Sequence, residues 1–135
     1  MKRHIFRFIL LIVLIFGCDR DKKSDCTNLF CTDEFRSISV LIKHVSDNSA
    51  VVLTNYKVIR VSDNKDISHG NSINPENNGY YLLVDDTDRA MLRNSNVEIE
   101  FQGYIDNTLL IKRRFVVTAD CCHISLVSGD TVIYI

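Results

Sequence analysis

Apolar and polar residues alternate with a period of two along most of the chain after residue 35. The alternation is clearest in seven segments, residues 38–42, 51–61, 80–84, 97–101, 109–117, 123–127 and 131–135. Because successive residues of a β-strand point to opposite faces of the sheet, this period predicts strands rather than helices. One segment, residues 86–94, instead favours a short helical turn.

Turn-forming residues separate the predicted strands. Asn, Asp, Ser and Gly cluster at residues 46–48, 62–64, 77–79, 106–107 and 128–130. Seven or eight short strands with such spacing predict an all-β, immunoglobulin-like β-sandwich, in which two sheets bury their inner faces against each other. The polar segment 69–78 is predicted to be a mobile loop. Residues 131–135 are predicted to form an integral strand with Val132 and Tyr134 on one face and Ile133 and Ile135 on the other, and the turn at residues 128–130 is predicted to fold it back near the strand that ends at residue 127.

The N-terminus carries a pattern typical of export. Lys2, Arg3 and Arg7 accompany an unbroken apolar run over residues 8–16. This run is too short for a bilayer span, which needs about 20 apolar residues, and it has the length of a signal-peptide core. An uncleaved membrane anchor is the alternative interpretation.

The apolar run ends in Ile-Phe-Gly-Cys, residues 15–18, which resembles a bacterial lipobox. The resemblance implies that the thiol of Cys18 receives a diacylglyceryl lipid and that residues 1–17 are removed as a lipoprotein signal peptide. Lipid chains on Cys18 would then anchor the protein to a membrane. Asp19 favours inner-membrane retention in enterobacteria, whereas other phyla sort by different rules.

The chain after residue 17 is predicted to consist of a tether and one domain. Residues 18–30 are mostly polar and are predicted to form a solvated tether behind the lipidated Cys, and residues 31–135 are predicted to form the β-sandwich. Cleavage after residue 17 removes three of the 16 basic residues and none of the 17 acidic ones, so the mature chain has a charge of 13 − 17 = −4. This balance argues against a nucleic-acid partner and against electrostatic docking to anionic lipid.

Two stretches resemble a known domain family. Residues 49–66, followed by Asn-Asn-Gly-Tyr-Tyr at residues 77–81, look like the carboxypeptidase regulatory-like, or transthyretin-like, β-sandwich. Gly79 and Tyr81 occupy the places of that family's Gly-x-Tyr strand start, although its frequent Gly-Pro pair is missing. Residues 119–130 resemble small lipoproteins of Bacteroidetes-like bacteria. The resemblance implies a binding, docking or structural module without catalytic activity.

Four cysteines remain after Cys18. An exported chain meets oxidising conditions, in which disulfides persist. Cys121 and Cys122 are adjacent, and a bridge between neighbours is strained, so we expect each to pair with Cys26 or Cys31. On a predicted strand one of the two would face the core and the other would face outward. Cys31 is nearer to the first strand, which favours Cys31–Cys122 and, as a second bridge, Cys26–Cys121.

Other chemistry is less well supported by the sequence. The four cysteines and His123 could bind zinc, or act as a thiol redox site, but the spacing suits neither a zinc site nor a C-x-x-C motif. His44, His69 and His123 are expected in loops or at edges. The acidic residues Asp85, Asp86 and Asp88 suggest a solvated turn, with calcium as the alternative. Four tyrosines could offer a sugar-stacking platform: Tyr56, Tyr80, Tyr81 and Tyr104.

These observations predict a lipid-anchored envelope protein, facing the periplasm or the cell surface. Its β-sandwich would bind or support another envelope component, without catalytic residues, metal or cofactor. A glycan-binding or small-ligand-binding surface lipoprotein is one alternative, and a metal-binding or thiol redox protein is the other.

Overall fold

A computed structural model describes residues 26–70 and 78–135. The predicted signal peptide, the lipidation site Cys18 and most of the tether lie outside the described residues. So do residues 71–77, which make up most of the loop predicted over residues 69–78.

The described residues form eight strands and one short helical segment. The strands are β1 (Ser37–Lys43), β2 (Asn55–Arg60), β3 (Lys65–Asp66), β4 (Tyr80–Asp85), β5 (Val97–Ile105), β6 (Thr108–Ala119), β7 (Ile124–Ser128) and β8 (Val132–Tyr134). A 3-10 turn over Asp86–Asp88 leads into helix α1 (Arg89–Leu92). The predicted all-β class and the helical turn within residues 86–94 are confirmed.

The strands form two sheets. One has three strands in the order β4-β1-β8, and the other has five in the order β3-β2-β5-β6-β7. β8 runs parallel to β1, whereas the other strand pairs are antiparallel. Two sheets with a shared core confirm the coarse prediction of packed β-layers.

The position of β8 differs from the prediction that it folds back beside β7. The chain instead crosses to the other sheet at Gly129, which has a φ of 120°. A Cβ atom there would lie 2.4 Å from the ring of Phe115, so only glycine lets the chain pass this closely. Within β8, Ile133 is buried while Val132 and Tyr134 are exposed, which confirms the predicted division of the strand into two faces.

The core lies between the inner faces of the two sheets. At its centre the rings of Tyr56, Tyr81 and Phe101 pack with centroids 5.5–6.0 Å apart. The predicted strand over residues 51–61 begins only at residue 55. Before it, the buried hydroxyl of Tyr81 accepts a hydrogen bond from the N–H of Leu53 (2.7 Å) and donates one to the carbonyl of Val51 (2.8 Å). The Tyr81 hydroxyl therefore supplements the bonds to neighbouring strands, in which the N–H of Val51 donates to Ile42 in β1 and that of Thr54 donates to Tyr104 in β5.

The predicted turns coincide with residues in the left-handed region. Asn48, Asn64 and Asn78 have positive φ values between 45° and 60°. Asp106 and Asn107 both have positive φ and join β5 to β6. This two-residue connection suits a tight hairpin, because left-handed residues match the twist of the flanking strands.

Candidate functional site

Two disulfides fasten the N-terminal segment to the loop between β6 and β7. Cys26 is bonded to Cys121 and Cys31 to Cys122, with Cα–Cα distances of 5.4 and 5.3 Å. Both predicted pairings are confirmed. With all four of these thiols in disulfides, none is available in this state as a zinc ligand or a thiol nucleophile.

The two C-terminal cysteines lie in a loop, so their predicted placement on a strand with opposite facing is wrong. Both are half-buried, and the carboxylate of Asp120 shapes the loop. This carboxylate accepts hydrogen bonds from the backbone N–H groups of Cys122 (2.6 Å) and His123 (2.7 Å). These hydrogen bonds, above all the one from the N–H of His123, hold the pKa of Asp120 below its usual value. A loop of this shape can present the adjacent Cys121 and Cys122 to Cys26 and Cys31 on one side.

Beside the disulfides, a polar network joins the N-terminal segment, the acidic turn and β7. His123 Nδ1 lies 2.9 Å from Asp86 Oδ2, and His123 Nε2 lies 2.9 Å from the hydroxyl of Thr32. A carboxylate can only accept, so Nδ1 carries the proton and, in the neutral ring, Nε2 accepts from Thr32. The side chains of His123 and Asp86 are only 10% and 9% exposed, so the network is largely shielded from water.

Asp86 is the centre of this network. Besides His123, its carboxylate accepts the backbone N–H of Arg36 (2.8 Å) and that of Ile124 (2.9 Å). Burial alone would raise the pKa of Asp86, but these hydrogen bonds outweigh burial and lower the pKa to about 2. The group is therefore a carboxylate at neutral pH and joins its own turn to two other segments, the one that leads into β1 and the start of β7.

The order hydroxyl, imidazole and carboxylate in Thr32, His123 and Asp86 is also that of a hydrolase triad. A shallow cleft of ≈ 270 Å³ lies beside these residues. An acyl-transfer site also needs N–H donors for the developing oxyanion. The N–H groups of Cys122 and His123 already donate to Asp120, and that of Ile124 donates to Asp86. In these contacts the three side chains join the N-terminal segment to β7 as a structural clamp.

Sequence reasoning singled out His123 but missed Thr32 and the central role of Asp86. The signal for Thr32 was its position directly after Cys31, because a Cys31–Cys122 bridge brings the residues that follow both cysteines together. His44, which is expected in a loop or at an edge, lies in the turn at the far end of β1, where its N–H donates to the carbonyl of Ser49. It cannot reach the disulfides.

The three acidic residues at the end of β4 and in the 3-10 turn do not converge on one cation, and they are not merely solvated. Asp86 faces His123, whereas Asp85 and Asp88 face His69 on the other side of the turn. Asp85 caps the 3-10 turn through Thr87, and Asp88 Oδ2 lies 2.6 Å from His69 Nε2. Ligand atoms of His69, Asp85 and Asp88 lie within 4.8 Å of one another. Since Asp88 Oδ2 also accepts the N–H of Asp85, these groups already satisfy one another as a hydrogen-bonded clamp.

The four tyrosines do not form the sugar-stacking platform that was considered. Tyr56 and Tyr81 are buried in the core. Tyr104 is on the outer face of the five-stranded sheet, where its hydroxyl donates to Gln102. Tyr80 is exposed on the outer face of the other sheet, because its neighbour Tyr81 points inward. Alternation along the strands separates the four rings.

The outer faces of the two sheets differ sharply in chemistry. On the five-stranded sheet, Glu98 and Glu100 pair with Lys112 and Arg114 across β5 and β6, with N–O distances of 3.0–3.5 Å. Gln102 continues this polar ladder by donating to Glu100. This face is therefore suited to contact with water.

The outer face of the three-stranded sheet carries a row of apolar side chains. Leu41 of β1 is the register partner of both Tyr80 in β4 and Val132 in β8, so the three side chains form a row across the sheet. Tyr134 extends the row at the edge strand opposite Lys43. Tyr80, Val132 and Tyr134 are each about half exposed. We name Leu41, Tyr80, Val132 and Tyr134 the apolar face.

In the part of the chain that the structure describes, no helix is long and apolar enough to cross a membrane. Comparison with known proteins gave no match to any family model, curated protein or solved structure.

Proposed function

We propose that this chain is a lipid-anchored envelope protein whose β-sandwich is a non-catalytic module that binds another envelope component. The observation that carries the proposal is the apolar face on the three-stranded sheet, opposite a charged and water-compatible face. A row of apolar side chains in which Tyr80, Val132 and Tyr134 are about half exposed is typical of an interaction surface.

Two further features support an envelope location. The lipobox at residues 15–18 predicts lipidation of Cys18, and paired disulfides persist in oxidising compartments outside the cytoplasm. In the finer fold assignment that we propose, the module is a transthyretin-like sandwich. In support, Gly79 adopts a positive φ of 81° just before β4, and Tyr81 bonds the segment before β2.

The binding role is tested by site-specific photo-crosslinking in native membranes. A benzoyl-phenylalanine side chain at Tyr80 should give a defined crosslinked species, whereas the same group at Lys57, exposed on the outer face of the five-stranded sheet, should not. Equal crosslinking at both positions, or none at either, contradicts docking through the apolar face.

The anchoring role has a separate test. Cys18→Ala should abolish labelling with radioactive palmitate and leave the precursor uncleaved. Normal processing of this variant would refute the lipoprotein assignment while leaving the docking result intact.

Hydrolysis of an ester or amide is a second candidate function, favoured by the order of Thr32, His123 and Asp86. It predicts turnover of an activated ester that is lost in Thr32→Val. We instead expect the wild-type protein and Thr32→Val to give the same background rate, because the neighbouring N–H groups are occupied by Asp120.

A further inference from the structure

The loop from Cys26 to Cys31 is held at both ends by covalent bonds and turns two apolar side chains toward solvent. Cys26 and Cys31 are each bonded to the β6–β7 loop, and Asn28 makes a turn between them with a φ of 63°. Leu29 is 55% exposed and Phe30 is fully exposed. We name Leu29 and Phe30 the apolar tip.

Hydrophobic burial does not explain where the apolar tip lies. Phe101 and Phe115 are buried in the core, whereas Phe30 contributes nothing to it. The disulfides fix the loop whether or not its side chains are covered. A rigid loop that displays Leu and Phe lowers the entropic cost of inserting them into an apolar partner.

The position of the predicted lipid anchor in the sequence indicates what covers the apolar tip. Cys18 precedes Cys26 by eight residues, and a fully extended chain spans at most about 3.6 Å per residue, so the loop stays within roughly 29 Å of the anchoring point. We propose that the apolar tip inserts into the interfacial region of the membrane that holds the anchor. This inference rests on the proposed lipidation of Cys18.

The charges near the loop identify the type of lipid interaction. Asp33 and Glu34 follow the second disulfide, and the nearby Arg36 is paired with Glu34 at 3.1 Å. The mature chain is also net acidic. Insertion is therefore driven by apolar burial and does not require anionic headgroups.

Insertion of the tip sets the orientation of the module. β1 begins next to Arg36, whose N–H donates to Asp86 in the polar network beside the disulfides, and the other end of β1 carries the turn that contains Val45. The carbonyl of Ile135 accepts the N–H of Val45 (2.9 Å), so the C-terminal residue lies at the same end. That end would point away from the bilayer.

The test uses fluorescence, because the chain contains no tryptophan. Phe30→Trp introduces a single indole at the tip, and Val45→Trp places one at the far end, where Val45 is 69% exposed. Each full-length mature lipoprotein is reconstituted into phosphatidylcholine vesicles with and without brominated chains. Non-reducing mass analysis verifies both disulfides and the lipid.

An interfacial side chain lies ~5–10 Å into the headgroup and acyl boundary. The indole at position 30 should therefore show a blue-shifted emission and strong quenching by brominated lipid, and the indole at position 45 should show neither. Adding phosphatidylglycerol should not change the result.

Three outcomes would overturn the inference. In the first, the indole at position 30 is as exposed to water as that at position 45. In the second, it becomes shielded only when envelope proteins are added and is not quenched by brominated lipid, which indicates a protein partner. Both leave the lipid anchor intact. In the third, the protein lacks lipid and does not float with the vesicles, so the proposed anchoring fails and the inference fails with it.

Discussion

Replacement of Asp86 tests whether the polar clamp holds the N-terminal segment onto the sandwich. Its carboxylate accepts hydrogen bonds from His123 and from the N–H groups of Arg36 and Ile124, at 2.8–2.9 Å. Asp86→Ala leaves all three donors without this acceptor. Because a hydrogen bond to a charged group contributes about 1.5–3 kcal/mol and neighbouring terms are not additive, we expect a loss of roughly 4 kcal/mol in the free energy of unfolding.

The shifted pKa gives an independent value for the loss of stability in Asp86→Asn, because the Asn side chain resembles a protonated carboxyl group. The pKa falls from 3.8 to about 2 on folding, and at 1.36 kcal/mol per pKa unit this corresponds to about 2 kcal/mol. Asp86 is mostly buried, so screening by solvent reduces this value little. We therefore expect Asp86→Asn to be destabilised by about half as much as Asp86→Ala.

The pH dependence has a definite sign. A carboxyl with a lowered pKa in the folded state stabilises the protein above its unfolded pKa, and this contribution is lost as the pH falls through the folded value. The stability difference between wild type and Asp86→Asn should thus shrink between about pH 4 and pH 2. Other acidic groups, including Asp120, titrate in both proteins, so their effects cancel in the difference.

The assay is urea unfolding of the disulfide-intact protein from residue 24 onward, followed by circular dichroism. Asp130→Asn, in the exposed β7–β8 turn, is the matched control and should change stability by less than about 0.5 kcal/mol. The reasoning is refuted if Asp86→Asn behaves like this control at neutral pH, or if its deficit is the same at pH 2 as at pH 6.

Three further predictions concern other parts of the fold. Removing either disulfide alone should lower the free energy of unfolding by only about 2.5 kcal/mol, because the other disulfide still closes the long loop. Removing both should lower it by about 7 kcal/mol, which is more than the sum of the two single losses. If chemical denaturation shows that the two single losses add up to the double loss, this prediction is wrong. Tyr81→Phe should cost about 1–3 kcal/mol, since two buried backbone groups lose their partner, and an unchanged denaturation midpoint would show that the hydroxyl is dispensable. Deleting residues 131–135 removes the buried Ile133 and uncovers an edge of β1, so the thermal transition should be lost or strongly lowered, whereas an unchanged transition would identify β8 as a free strand for a partner.

The all-β class, the turns and the cysteine pairing could be predicted from the sequence. The first two appear as local residue patterns, and the third follows from the number and spacing of the cysteines. Period-two alternation identified β5 and β6, and Asn, Asp or Gly marked the positions with positive φ. The adjacency of Cys121 and Cys122, with two upstream cysteines, left few sensible pairings.

The sheet that holds β8 could not be predicted, because Ile133 would be buried and its neighbours exposed in either sheet. The choice depends on the crossing at Gly129 over Phe115, which is a tertiary contact. The same holds for the clamp, whose residues Thr32 and His123 lie 91 positions apart. Hydrogen bonds over such separations leave no periodicity, so the sequence could not show that Asp86 joins three segments.

The disulfide linkage also determines how the module would respond to mechanical tension. On the proposed anchoring, a partner that pulls the domain away from the membrane would load the chain at Cys26, and the disulfide would pass this load to the β6–β7 loop. β6 is hydrogen-bonded to β5 along most of its length, so the force would be spread over a long hairpin and would not pull β1 out from between β4 and β8. The first strand is therefore protected from unzipping, and the core can stay closed while the tether is taut.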